Sequence, residues 1–179
     1  MRRMCGKMSL KDHYEGIVMS ELSEICASCV RALSERGLTI SFAESCTGGL
    51  CAKTLTDVSG ASSVFECGIV SYSGRIKHEI LGVPRDVLDT YGEVSQQTAE
   101  AMATGVARIS GADIGIGITG IAGPTGATAT KKVGLIYFSV FYKGEIHSQK
   151  LELYDVSYSR ERRRIHTAAR AFQTVMNLL

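Results

Sequence analysis

The sequence predicts an α/β fold, a three-layer α/β/α sandwich around a mostly parallel sheet with an antiparallel edge hairpin. Three observations carry that prediction. Helical and strand-like apolar periodicities alternate through the earlier part of the chain. Two later apolar runs flank Lys143-Gly144, the signature of a hairpin. The 179 residues suit one domain large enough to bury a core.

Taken in order, residues 1–18 carry mixed charge without apolar periodicity and read as a flexible N-terminal extension, with residues 19–179 as a single domain. From Ser20 onward, Leu22, Ile25, Cys26, Cys29 and Leu33 recur at helical spacing, and Gly37 closes the helix. Residues 38–43 form a short strand, 48–56 a helix and 65–73 a second strand. Residues 76–81 are helical up to Gly82, and Pro84 takes the first position of another short helix. Ser95 caps a helix whose apolar face is Ala99, Met102, Ala103, Val106 and Ile109. Residues 114–118 read as a buried strand, in which Gly115 and Gly117 imply close approach by a neighbouring backbone or helix. Residues 133–142 and 146–153 form the hairpin, and a helix from Ser159 to Leu178 ends the chain.

Charge and cysteine usage narrow the function classes. With 20 Lys+Arg against 18 Asp+Glu the formal charge is +2, which makes no electrostatic case for nucleic acid or a membrane surface. No apolar run approaches the roughly 18–20 residues of a membrane span, and no secretion signal is present, so a cytoplasmic protein is expected. Its cysteines Cys5, Cys26, Cys29, Cys46, Cys51 and Cys67 are then expected to be reduced. Cys26-Ala-Ser-Cys29 has zinc-like spacing but no second pair beside it, so buried helix-face thiols are the favoured reading and no metal is expected. The cluster Arg160, Arg162, Arg163 and Arg164 reads either as a solvated helix start or as a contact to a ligand phosphate.

Glycine is in surplus: 19 of 179 residues, about 11% against a usual value near 7%, beside only 2 prolines. Much of it lies in two strand-end loops. After residues 38–43 comes Glu44-Ser45-Cys46-Thr47-Gly48-Gly49. After residues 114–118 comes Thr119-Gly120-Ile121-Ala122-Gly123-Pro124-Thr125-Gly126. Loops at the carboxyl ends of parallel strands share one edge, where ligands bind in open α/β sheets. Glycine there admits close backbone approach, and N–H groups at a helix start favour negative charge. Neither loop is a P-loop or a GxGxxG fingerprint, which moves ATP hydrolysis and dinucleotide binding down the order.

A third segment, Tyr72-Ser73-Gly74-Arg75-Ile76-Lys77, puts Tyr72 and Lys77 on the same edge. A serine with a nearby lysine can act as nucleophile and base when burial or a cationic neighbour lowers the lysine pKa. The plainer alternative is a surface lysine and a core tyrosine. His13, His78, His147 and His166 are scattered, which disfavours a Ser-His-Asp triad.

At these residues the chain resembles the C-terminal domain of the competence/damage-inducible protein CinA, the nicotinamide-nucleotide amidases. The resemblance rests on Ala43-Glu44-Ser45-Cys46-Thr47-Gly48-Gly49, on residues 68–77 ending in Tyr-Ser-x-x-x-Lys, and on Thr119-Gly120-Ile121-Ala122-Gly123-Pro124. Gly92-x-Val94-Ser95, Val133-Gly134 and Arg160 with Arg164 support it, over about residues 20–179. It implies hydrolysis of nicotinamide mononucleotide to nicotinate mononucleotide and ammonia in pyridine nucleotide salvage, without a cofactor. Carried over by position, Ser45 is the nucleophile, Lys77 its base and Tyr72 a nearby orienting or relaying group. Thr47, Gly48 and Gly49 would offer an oxyanion hole or phosphate cradle. Thr119, Gly120, Ala122 and Gly123 would bind ligand, and Arg160 or Arg164 would reach its phosphate.

The sequence departs from the family pattern in places. Gly74 stands where the family often has Asn, Glu93 and Gln96 stand where it often has Ala and Glu, and residues 125–132 lack its Asp/Gly-rich character. The separate N-terminal domain of many full-length relatives has no counterpart in this sequence, so its associated pyrophosphatase activity is not implied. Two other readings stay open: a non-catalytic nucleotide-binding or regulatory module of the same fold, and an amidase or esterase of different specificity. A homodimer is expected from base rates alone.

Overall fold

The computed structural model describes residues 10–179. Residues 1–9 of the expected N-terminal extension lie outside the described residues. Helix α1 spans Leu10–Arg36, so it begins ahead of Ser20, where the apolar periodicity sets in. Its buried face carries Leu22, Cys26, Cys29 and Leu33, and Gly37 (φ 62°) ends it.

The strands are β1 (Ile40–Glu44), β2 (Phe65–Val70), β3 (Ile114–Gly120), β4 (Leu135–Tyr142) and β5 (Glu145–Glu152). They form one sheet in the order β2-β1-β3-β4-β5. β1 pairs in parallel with β2 and β3, while β4 is antiparallel to both β3 and β5. β4 alone therefore opposes the direction of the other strands. Lys143 (φ 52°) and Gly144 (φ 81°) make the tight β4–β5 turn, whose paired positive φ values suit the right-handed twist of a hairpin.

The remaining helices are α2 (Leu50–Thr56), α3 (Gly74–Glu79), α4 (Arg85–Tyr91), α5 (Gln96–Ser110) and α6 (Arg160–Leu178). α1, α2 and α6 cover one face of the sheet, over Ile40, Phe42, Ile116 and Phe138. Phe42 meets Phe172 of α6 edge-on, with ring centroids 5.7 Å apart. α5 crosses the other face, with Met102 and Val106 packed beside Ala43, Leu81 and Val83. Ser95 caps α5 by accepting from Thr98 N–H, and Ser159 caps α6 by accepting from Arg162 N–H. Pro84 sits at the N-cap of α4, one position before the one the sequence suggests. Among the described residues no helix is long and apolar enough to cross a membrane.

The face of α5 differs from its sequence pattern in one respect. Ile109 is exposed, and the buried face instead turns through Gly105 and Ala107. Close approaches mark this buried face: Gly105 faces the Leu81 carbonyl, and α5 lies directly on the glycines of β3. A Cβ on Gly115 would stand 2.2 Å from the Ala103 carbonyl oxygen, and one on Gly117 would stand 2.2 Å from that of Ala99. Only a bare backbone admits the helix at this distance, so small residues on both sides define the contact. Gly117→Ala is accordingly expected to destabilise the fold by about 1–3 kcal/mol. Denaturant unfolding measures this, and an unchanged midpoint would contradict the close-packing argument.

Candidate active site

The parallel strands β1, β2 and β3 present their carboxyl ends at one edge, and the ladder runs slightly past them. Ser45 N–H donates to Ile118 O at 3.0 Å and Ser71 N–H donates to Glu44 O at 2.9 Å, which fixes the three strand exits against one another. Ser45 emerges from β1 nearly buried, and Lys77 of α3 is fully buried. Lys77 Nζ donates to Ser71 O at 3.0 Å, Ser45 Oγ at 3.3 Å and Glu93 Oε2 at 3.3 Å. Burial lowers the Lys77 pKa below its ordinary 10.5, with the opposing pull of the Glu93 carboxylate as the next largest influence. A lysine in this state, within reach of a hydroxyl, suits proton transfer from that hydroxyl.

Ser45, Tyr72, Lys77, Thr119, Gly120, Ala122, Gly123 and Arg160 line a cavity of about 270 Å³, together with Cys46, Glu93 and Val94. Tyr72 is exposed at its mouth, where its hydroxyl accepts from Arg160 Nη2 at 3.3 Å. Thr119 Oγ1 donates to Glu93 O at 2.6 Å, so this buried hydroxyl secures a neighbouring backbone. The β3–β4 pairing runs on past Gly120, with Ile121 N–H donating to Leu135 O and Gly134 N–H donating to Ile121 O, and Ala122 and Gly123 line the cavity just beyond it. Cys46 lies beside Ser45, but burial pushes its thiol up to about 12 and keeps it neutral, a poor nucleophile at ordinary pH.

Thr47, Gly48, Gly49 and Arg164 lie outside the lining of this cavity. The chain supplies its own anion to the start of α2. Buried Glu44 accepts from Gly49 N–H (3.0 Å) and Cys51 N–H (3.2 Å) through Oε2, and from Ala52 N–H (3.0 Å) through Oε1. Gly48 N–H donates to Ser45 O at 3.2 Å. The positive end of α2 is thus already matched by a carboxylate. Arg164 turns inward as well: its Nε donates to Thr47 O at 3.0 Å and its Nη1 pairs with Glu161 at 2.8 Å.

Two further arginines of α6, Arg160 and Arg163, hold the second loop. Arg160 Nη1 donates to Gly123 O at 2.7 Å. Buried Arg163 donates to Leu153 O (2.9 Å), Ala122 O (3.3 Å) and Asp155 O (2.9 Å). Only Arg160 of this cluster also borders the cavity.

Residues 22–179 match the CinA C-terminal domain family. The chain belongs to that family. It is 44% identical over 168 residues to a competence-damage inducible protein of Thermoanaerobacter sp. (strain X514), covering 94% of this chain and 39% of the relative. The chain therefore spans about two fifths of the curated relatives it matches. Among solved structures, the competence/damage inducible protein CihA from Agrobacterium tumefaciens superposes with a TM-score of 0.85 at 36% identity, over 88% of this chain and 95% of that one. A CinA superfamily protein from Klebsiella pneumoniae superposes with a TM-score of 0.83 at 29% identity, over 87% and 96% of the two chains.

Two departures from the CinA family pattern meet in space. A Cβ on Gly74 would lie 2.9 Å from Glu93 Oε1, so the acidic side chain occupies the room that glycine leaves. Sequence reasoning noted both positions but not their contact. It gave Glu44 no role of its own, although its place between a strand end and a helix start is the available signal. It read Arg163 only as part of the α6 basic cluster, whereas Arg163 is buried on the carbonyls of Leu153, Ala122 and Asp155. Glu44→Gln sets an amide against N–H donors that need acceptors. It is expected to cost about 1–3 kcal/mol of stability. Thermal or denaturant unfolding reads this cost, and wild-type stability in the variant would show that Glu44 does not hold the loop.

Proposed function

We propose that this chain is an amidohydrolase that converts nicotinamide mononucleotide to nicotinate mononucleotide and ammonia, with Ser45 as nucleophile and Lys77 as base. One observation carries the reading: a fully buried lysine amine 3.3 Å from a serine hydroxyl that lines a cavity. Membership of the CinA family supports it.

Neutral Lys77 takes the proton of Ser45 Oγ as the oxygen attacks the carboxamide carbon, and the carbonyl oxygen becomes an oxyanion. Backbone N–H groups beyond the end of the β3 ladder, at Ala122 and Gly123, are the proposed donors to it, each such donor typically contributing about 3–4 kcal/mol. The protonated lysine then gives its proton to the departing nitrogen, the C–N bond breaks and ammonia leaves. Water, deprotonated by Lys77, attacks the resulting Ser45 ester. The acid departs and Ser45 recovers its proton.

The cavity, at about 270 Å³, lies at the small end for ligand pockets, which suits the reacting ring with the ribose phosphate toward the mouth. Arg160 stands there and is the proposed phosphate contact. One observation favours a second reading, a nucleotide-binding module without chemistry: the Glu93 carboxylate beside Lys77 favours the protonated amine.

Ammonia release from nicotinamide mononucleotide decides between them. The wild-type chain is expected to release ammonia, and Ser45→Ala is expected to lower kcat by at least about 100-fold. Undiminished release by Ser45→Ala would rule out this nucleophile. Calorimetric binding of the mononucleotide without turnover would establish the second reading.

A further inference from the structure

Glu93 stands between two concavities. On one side it borders the cavity that holds Ser45 and Lys77. On the other it borders an open groove of about 490 Å³ with Gly74, Arg75, His78, Arg85 and Asp89. Its carboxylate is 3.3 Å from Lys77 Nζ, with the lysine side chain 1% exposed and the glutamate side chain 50% exposed. An ion pair between two exposed side chains would hold little geometry. Here the amine is buried and anchored by Ser71 O, and the Glu93 backbone is anchored by Thr119 of β3.

Residue 74 decides whether the carboxylate can reach this position. A Cβ there would meet Glu93 Oε1 at 2.9 Å and its Cδ at 3.1 Å. Gly74 opens α3 and is not among the glycines with positive φ, so its backbone accepts any L residue. A Cβ at position 74 would have to displace the Glu93 carboxylate, the flexible end of a half-exposed side chain. Positions 74 and 93 are a matched pair.

We infer that Glu93, seated in the space left by Gly74, is a positioning residue for Lys77 that holds its amine toward Ser45 and sets when that amine carries a proton. After Glu93, the titratable groups that act most strongly on Lys77 are Cys46 from the β1–α2 loop and Tyr72 from the segment after β2, with Arg160 of α6 lining the same cavity. Glu93 is the one carboxylate in that set. Removing its charge leaves desolvation of the lysine less opposed, so the amine should lose its proton at lower pH. The significance for catalysis rests on the proposed Ser45–Lys77 chemistry, whereas the titration itself does not.

The test is an NMR titration of the Lys77 side chain in protein labelled with ¹³C-lysine, assigned with Lys77→Arg. In Glu93→Gln the titration midpoint is expected to move down in pH. Gly74→Ala should move it in the same direction, by displacing the carboxylate, and should add no further shift in the Glu93→Gln background. Amide spectra of each variant establish that it folds. An unmoved midpoint in Glu93→Gln overturns the inference. So does a Gly74→Ala shift that persists undiminished in the Glu93→Gln background, since it would then not act through the carboxylate. Ammonia release is read in parallel. A midpoint that moves in a chain with no amidase activity upholds the role of Glu93 and overturns the amidase proposal. Activity with an unmoved midpoint does the reverse.

Discussion

A lysine amine held out of water is the constraint around which this domain is arranged. Desolvating an ammonium group is costly unless its hydrogen-bonding capacity is met. Lys77 meets it with a carbonyl, a hydroxyl and a carboxylate drawn from three separate segments. Those three come together only because the strand exits are pinned. Ser71 N–H on Glu44 O carries the β1–β2 pairing past the end of β2, and Ser45 N–H on Ile118 O does the same between β1 and β3. The tight seating of α5 on Gly115 and Gly117 holds the helix whose first turn follows Glu93 against the same sheet. Register, helix packing and the chemistry of one amine are therefore a single problem.

Charged side chains that look like ligand contacts act largely as internal fasteners. Glu44 neutralises the start of α2 from within, so the glycine-rich loop after β1 is shaped by a carboxylate of the chain itself. The first turns of α6 grip both strand-end loops: Arg164 holds Thr47 O, while Arg160 and Arg163 hold the carbonyls of Gly123 and Ala122. A guanidinium presents several donors in a fixed fork, and that is what lets one helix secure loops separated by many residues. Held in this way, the loop residues Ala122 and Gly123 that line the cavity are fixed in place.

The parts of this molecule legible in its sequence are those governed by local rules. Alternation and helical spacing reveal β1 to β5 and α5. Ser95 and Ser159 announce their helices because a cap bonds within its own turn, and Lys143-Gly144 announces the hairpin. Gly115 and Gly117 mark a close approach even without a partner in view. What escaped is pairing across the fold. Nothing local says that Arg164 reaches Thr47 or that Glu93 fills the room beside Gly74. Such pairs leave no period in the sequence. The helix-start N–H groups after Gly48 illustrate the limit: sequence rules correctly demand an anion there, but only the fold shows that Glu44 is that anion.

The central claim is that Ser45 forms a covalent ester with the acyl part of the substrate, and a competing nucleophile tests it most directly. Hydroxylamine added during turnover of nicotinamide mononucleotide intercepts such an ester. The account predicts that the corresponding hydroxamate forms at the expense of nicotinate mononucleotide, and that Ser45→Ala forms neither product. Ammonia release by the wild-type chain with no hydroxamate at any hydroxylamine concentration would contradict it, and would point to direct attack by water.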